Sequence, residues 1–369
     1  MGGLIGDAGE MPANLRPSSA VAKIMETLHL VADWQIHHIT EAPYSQETSW
    51  TQATFYLGLA RLAATSGDPK YFESIRKLGQ RNEWRLGPRL YHADDHAIGQ
   101  VYVAAFDHYA DFRMIAPMLV QFDHVLANKP NVALTFDQPH YCQQRWCWSD
   151  ALFMAPASWM AASRITGERR YRDYADAEYW VSKDYLFDRD SHLFFRDSRF
   201  FDQRGPNGEK IFWGRGNGWV FAGLINILRE LPRNHRSRLR YEELFTEMAD
   251  TIRSRQHGDG FWATSLMSPL DLSIADSSGT AFFTYGIASG VSIGLLNREQ
   301  FAASALLGWD ALVGAVEADG RLGRVQQISD GPGPVDVKDS QLYGSGALLL
   351  AGLAMKSMIE SEPAHNHSR

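Results

Sequence analysis

The stretch Trp146-Cys147-Trp148-Ser149-Asp150-Ala151-Leu152-Phe153-Met154-Ala155-Pro156 sets an acid, Asp150, where a polar turn gives way to a long apolar run. An acid there has an ordinary explanation, because Ser149 or Asp150 can cap the free N–H groups of a helix start. What points beyond capping is recurrence. Trp50 opens the apolar run 51–64, and Tyr91-His92-Ala93-Asp94-Asp95 opens 96–109. Further on, Trp213-Gly214-Arg215-Gly216-Asn217-Gly218-Trp219 opens 220–231, Asp276-Ser277-Ser278-Gly279 opens 280–296, and Tyr343-Gly344-Ser345-Gly346 opens 347–358.

The six turns, near Trp50, Asp94, Asp150, Asn217, Gly279 and Ser345, lie 44 to 67 residues apart. Most of the apolar helices they open are followed by an amphipathic one, as at 71–78, 114–127, 170–181, 240–255 and 300–316. The run from Ser18 to Trp34 supplies one more half-exposed helix at the start. Six pairs of a buried and a half-exposed helix predict an all-α fold, an (α/α)6 barrel. An open solenoid would need polar end caps, and none is seen. The expected organisation is a loose segment over 1–17, a single barrel over 18–360 and a tail over 361–369. In such a barrel the helix-opening turns converge on one mouth. That gathers Trp50, Asp94, Asp95, Trp148, Asp150, Trp213, Arg215, Trp219 and Asp276 around one cleft. The loops 188–211 and 321–343 are long enough to line it, with short β-hairpins at 192–195 and 260–263.

Composition narrows the classes. The 369 residues are 45 % hydrophobic and 21 % charged, as in a globular protein. A net charge of −7 argues against nucleic acid as a partner. No signal peptide is read at the N-terminus and no apolar stretch is read as a membrane span, so a cytoplasmic location is expected, or a periplasmic one if a leader was removed. Cys142 and Cys147 are expected as two small buried thiols. Without clustered Cys/His spacing, no metal or cofactor is expected. The assembly expected is a monomer or weak homo-oligomer.

Paired carboxylates are the main chemical theme. Asp94 and Asp150 can face each other across an aromatic cleft, which suits glycoside chemistry with one acid kept protonated by burial. The apolar run after Asp150 raises its proton affinity, whereas a helix N-terminus lowers it. In the Trp213–Trp219 motif, glycines allow close approach to a ligand, Arg215 offers a fork for a carboxylate, and the tryptophans offer faces for a sugar ring. A tight turn with two core tryptophans is the competing reading. Arg196-Asp197-Ser198-Arg199 adds positive charge near the mouth. His92, His96 and His140 lie nearby, and lone histidines are more often structural than catalytic.

These motifs resemble glycoside hydrolase family 105, the unsaturated rhamnogalacturonyl hydrolases and related unsaturated glucuronyl hydrolases. The resemblance rests on Ala-Asp-Asp-His-Ala-Ile-Gly at 93–99, Cys-Trp-Ser-Asp-Ala-Leu-Phe-Met-Ala-Pro at 147–156, Phe-Trp-Gly-Arg-Gly-Asn-Gly-Trp at 212–219, Asp-Ser-Ser-Gly-Thr-Ala at 276–281 and Tyr-Gly-Ser-Gly at 343–346. It implies an (α/α)6 barrel that removes the unsaturated C4=C5 uronic acid from the non-reducing end of lyase-cut oligosaccharides, a rhamnogalacturonan-type disaccharide being the first expectation and ulvan-type and arabinogalactan-derived disaccharides staying open. It implies Asp150 as the acid that protonates C4 and the base that activates water, and Asp94 as the second acid, with Asp95 a weaker choice for that role. Trp148, Trp213, Arg215, Trp219, His140, Trp50 and Tyr343 would bind substrate. Where many members carry histidine this chain has Arg196, which would read the uronate carboxylate or a charged group on the next sugar. Two other readings stay open: a two-carboxylate glycosidase acting on saturated glycans, and a non-catalytic carbohydrate-binding barrel.

Overall fold

The computed structural model describes residues 17–39, 46–138, 140–269 and 274–361. The expectations for 1–17 and for 361–369 fall almost wholly outside them. The helices are α1 (Pro17–His38), α2 (Trp50–Ser66), α3 (Pro69–Arg81), α4 (Ala93–His96), α5 (Ile98–Tyr109), α6 (Ala116–Ala127), α7 (Ala151–Met154), α8 (Pro156–Thr166), α9 (Arg169–Leu186), α10 (Gly214–Glu230), α11 (Arg238–Ser254), α12 (Ser277–Ser292), α13 (Arg298–Gly314) and α14 (Leu342–Glu360). One hairpin, β1 (Phe187–Asp188) with β2 (Leu193–Phe194), pairs antiparallel as expected near 192–195. At 260–263 the described residues show one isolated bridge, Ala263 to Ala275, in place of a hairpin.

The helices that are apolar nearly all round form an inner ring. α2 packs on α5, α5 on α8, α8 on α10, α10 on α12, α12 on α14, and α14 back on α2. That last contact closes the ring and sets aside the open solenoid. The seam is tight: a side chain on Gly58 would stand 2.4 Å from the Gly346 carbonyl oxygen, and one on Gly346 would stand 2.3 Å from the Thr54 oxygen. Glycine at both positions lets the first and last inner helices touch backbone to backbone. The amphipathic helices lie outside. α3 illustrates the local logic: Gly67 ends α2 at φ 70° with its N–H donated to Ala63 O, and Asp68 caps α3 by accepting from Lys70 N at 3.1 Å.

α14 differs from its sequence expectation. It is 19 residues long with mean hydropathy 1.4, enough by length and composition to cross a membrane. Within the barrel most of this helix is buried, because it packs against α12, α2 and α1 at once.

The central stretch is not one helix. Pro156 has no N–H to donate, and α7 breaks from α8 at Ala155. The break frees two carbonyls inside the barrel. Gln100 Nε2 on α5 donates to Phe153 O at 3.0 Å and Met154 O at 3.4 Å. Asn226 Nδ2 on α10 then donates to Gln100 Oε1 at 3.3 Å, and Tyr285 Oη on α12 donates to Asn226 Oδ1 at 2.8 Å. A buried polar chain thus spans the inner ring and holds the short helix that follows Asp150.

Candidate active site

The N-terminal turns of the inner helices meet at one end. Ser149 N donates to Arg196 O at 2.8 Å, Trp213 Nε1 donates to Gln326 Oε1 at 2.8 Å, and the rings of Trp50 and Tyr343 lie 5.0 Å apart. These contacts tie the turns of α2, α7, α10 and α14 and the loop 321–341 into one mouth.

Asp150 does not cap. It stands at the N-cap position of α7, but its side chain accepts no N–H of that helix and instead accepts from Ser149 Oγ at 3.0 Å. Its carboxylate lies 3.8 Å from Arg196 Nε. Burial pushes its proton affinity up, Arg196 pulls it down, and the charge of Asp94 pushes it up again. Asp94 is raised to about 6, first by burial, with Arg89 and Arg196 opposing and Asp95 adding to the rise. Both carboxyls keep a little access to the mouth, with side chains 12 % and 18 % exposed. Burial holds both acids up and Arg196 opposes it at each, so both keep a proton to higher pH than an ordinary aspartate does.

Arg196 is the residue whose place the sequence showed least. Its side chain is 11 % exposed, Nη1 donates to the buried Asp197 at 2.6 Å, and its guanidinium lies 5.1 Å from the Phe136 ring centroid. Nε is sealed from solvent and meets no hydrogen-bond acceptor. Arg199 is held by the same Asp197 at 2.8 Å and lies over the same ring at 4.3 Å. Nothing in the spacing of Phe136 and Asp197 marks this support.

Several expected ligand-binding residues turn out to build the wall. Asp95 points away from the mouth: Arg89 N donates to its Oδ2, and Arg89 Nη2 to its Oδ1, each at 2.6 Å. The weaker candidate for second acid is therefore a tether for the turn 87–89. Arg215 is fully buried and offers no fork to a substrate carboxylate. It donates to Gln326 O at 2.7 Å and Gln327 O at 3.0 Å, sandwiched between the rings of Trp213 and Tyr343. Its glycine neighbour serves packing, since a side chain on Gly214 would stand 2.2 Å from Ala263 O. Trp213, Trp219 and Tyr343 are at most 2 % exposed, so they present no free face to a sugar. Trp219 packs at a tilt against Phe282 and Phe153, and Tyr343 Oη donates to Gln326 O. Trp148 is also buried, its ring 4.9 Å from that of His92, and backs the cleft.

Trp50 is the half-buried aromatic of this group, above Trp219. His140 is part-exposed, its ring 4.8 Å from Phe136 on the rim of the arginine platform, and its Nε2 bonds Gln138 at 2.6 Å. His92 and His96 are both lowered to about 4, chiefly by burial, so neither carries charge at neutral pH. His96 is structural: it bonds Leu90 O at 3.0 Å and accepts from Trp159 Nε1 at 3.2 Å. Asp276 caps α12 and also accepts from Gln326 N at 2.9 Å, which pins the loop that clasps Arg215.

The cysteines are a correction. Cys142 and Cys147 are joined as a disulfide, with Cα atoms 5.7 Å apart, where a turn at Tyr141–Gln144 folds the chain back before Trp148. Among the described residues no group of three or more His, Cys, Asp or Glu is placed to hold a metal.

The profile of Glycosyl Hydrolase Family 88 matches residues 27–359. The chain belongs to that family. It is 39 % identical to an unsaturated 3S-rhamnoglycuronyl hydrolase of Alteromonas sp. (strain LOR) over 88 % of this chain and 83 % of that one. A protein of the same description from Formosa agariphila is 35 % identical, over 92 % and 90 %. Among solved structures, a family 88 hydrolase from Bacteroides vulgatus superposes with TM-score 0.81 at 25 % identity, covering 92 % of this chain and 99 % of that one. One described as a polysaccharide lyase gives 0.82 at 27 %, covering 94 % and 100 %. A family 105 hydrolase from C. acetobutylicum shares the fold at 19 % identity and TM-score 0.72, covering 91 % and 99 %. This family 88 enzyme is thus a glycoside hydrolase on an (α/α)6 barrel, and the non-catalytic reading lapses.

Proposed function

We propose that this enzyme hydrates the vinyl ether of an unsaturated uronic acid and so frees it from the neighbouring sugar, with Asp150 as acid and then base. The observation that carries this is the state of Asp150: buried, relieved of capping, raised in proton affinity, and 3.8 Å from an arginine. A protonated Asp150 gives its proton to C4, and positive charge develops at C5. Water adds at C5 and returns a proton to the carboxylate, with Asp94 orienting it. The hemiketal that results opens and releases the next sugar. One carboxyl can serve both steps. Arg196 pairs with the uronate carboxylate, and Trp50 offers the open aromatic face.

The names of the two relatives favour a 3-sulfated rhamnose as the next sugar, ahead of the rhamnogalacturonan-type partner first expected. The bonded cysteines support the periplasmic form of the location expectation, since disulfides persist in oxidising compartments.

The test is a panel of unsaturated disaccharides carrying sulfated rhamnose, rhamnogalacturonan or glycosaminoglycan sugars, followed by the ultraviolet absorbance of the conjugated double bond. Absorbance should fall with the sulfated rhamnose substrate and not in Asp150→Asn. No fall with any substrate, while a saturated glycan is cleaved, would sink the hydration reading. A rise on uncut polymer would make the enzyme a lyase.

A further inference from the structure

The other end of the barrel carries positive charge that the chemistry at the mouth does not use. Two cavities open there, where α8, α10, α12 and α14 finish. One, of 780 Å³, is bordered by Arg169, Arg172 and Arg236, and the other, of 630 Å³, by Arg233. Arg229 and Leu231 border both, so the two lie side by side as one trough.

None of these five arginines has a carboxylate partner among the described residues, and Arg172 Nε is sealed from solvent with no acceptor. Two of the nearby carboxylates are already engaged, Glu230 by Arg164 at 2.7 Å and Glu242 by Arg238 at 2.7 Å. Asp173 is the remaining acid on the wall. Helix electrostatics does not account for the cluster. Arg229 suits the C-terminal end of α10, but Arg169 and Arg172 sit at the start of α9, whose first turn holds no acid and whose end of the dipole repels cations. Arg233 follows the C-terminal end of α10 in the loop to α11, but Arg236 sits directly before the N-cap Ser237 of α11, again at an end that repels cations. All this occurs in a chain of net charge −7.

We propose that this trough binds an anionic polysaccharide, the sulfated and uronate-bearing polymer from which the substrate is cut. The ligand identity rests on the function proposed above. Guanidinium forks match sulfate and carboxylate groups. Two adjoining cavities suit an extended chain rather than a lone ion. No Phe, Tyr or Trp lines either cavity among the described residues, and His235 is the one ring there, so a run of stacked bases finds no platform like that of a single-stranded nucleic acid site. The trough is separated from the mouth by the length of α10, 17 residues or about 25 Å, so both can be filled at once. Holding the polymer there keeps the enzyme where fragments are released.

The test uses the full chain and a saturated, sulfated uronic-acid oligosaccharide, which has no double bond to hydrate. Binding is measured at low and high salt for the wild type, for Asp150→Asn and for the triple variant Arg172→Ala, Arg233→Ala, Arg236→Ala. The expected result is salt-sensitive binding by the wild type and by Asp150→Asn, weakened about tenfold or more in the triple variant, as loss of charge contacts implies. Turnover of the unsaturated disaccharide should be unchanged in the triple variant, which also shows that it folds. Unchanged binding in the triple variant overturns the trough. So does equal binding of a neutral polysaccharide, or tighter binding of RNA. If no unsaturated disaccharide is turned over yet the polymer binds through these arginines, the reaction fails and the trough stands.

Discussion

Asp150 and Arg196 stand 3.8 Å apart, carboxylate oxygen to guanidinium Nε, with no hydrogen bond between them. The arginine is close enough to restrain the proton affinity that burial raises, but it does not lock the acid in an ion pair. Removing it should therefore act on the pH profile as well as on binding. In Arg196→Gln, Asp150 loses a lowering influence, so its proton is held to higher pH. If protonated Asp150 drives the reaction, the falling limb of kcat moves to higher pH while KM rises. An unmoved limb would leave Arg196 a binding role alone.

Asp94→Asn should shift the same limb the other way, because Asp94 raises Asp150. The limb reports the pair rather than either acid. The substitution also has a signature in stability. Folded Asp94 holds its proton up to about pH 6, above the ordinary aspartate value of 3.8. The native state then binds more protons than the unfolded state between those values, so stability falls as pH rises through that window. Asp94→Asn should recover up to about 3 kcal/mol above pH 6 and little at pH 4, read as the change in Tm at the two pH values.

Asp95→Asn should do the reverse of its neighbour. Its carboxylate holds Arg89 and the turn before α4. Loss of those charge-assisted bonds should cost about 1–3 kcal/mol by urea unfolding, with kcat little changed. A collapse of kcat with Tm intact would restore Asp95 to the catalytic pair.

Gln100→Leu should loosen the helix break from within. It strands the carbonyls of Phe153 and Met154 in an apolar core and takes the partner from Asn226. A stability loss of about 2–4 kcal/mol is expected. Because α7 follows Asp150 directly, kcat should fall more than KM changes.

Breaking the disulfide by Cys142→Ser with Cys147→Ser should cost about 2 kcal/mol, the chain-entropy value for so short a loop. Thermal unfolding with and without reductant checks it, and the double variant should lose its response to reductant.

The six-fold alternation of buried and half-exposed helices was readable because each inner helix must be apolar on every side, and the polar turn that opens it has to be tolerated at one mouth. The acids were readable for the same reason, since an aspartate before an apolar run is conspicuous. What the sequence hid is direction. Asp94 and Asp95 are adjacent in sequence, yet one faces the mouth and the other faces Arg89, a choice made by the turn at 87–89. Arg215 looked like a hand held out to substrate because glycines flank it, but those glycines let α10 sit against Ala263 and bury the guanidinium under the 326–327 carbonyls. The pairing of Cys142 with Cys147 depended on a turn that spacing alone does not announce.

The contact of Gly58 with Gly346 joins helices near opposite ends of the chain. Until α14 has left the ribosome, α2 has no partner on one flank and a newly made chain presents an unsealed apolar wall. A stop introduced anywhere before residue 342 should therefore give a product that sticks to chaperones and proteases instead of a smaller enzyme. Conversely, a chain rejoined through its own ends and reopened in an outer loop would meet the same seam early in synthesis, and its folding yield should rise.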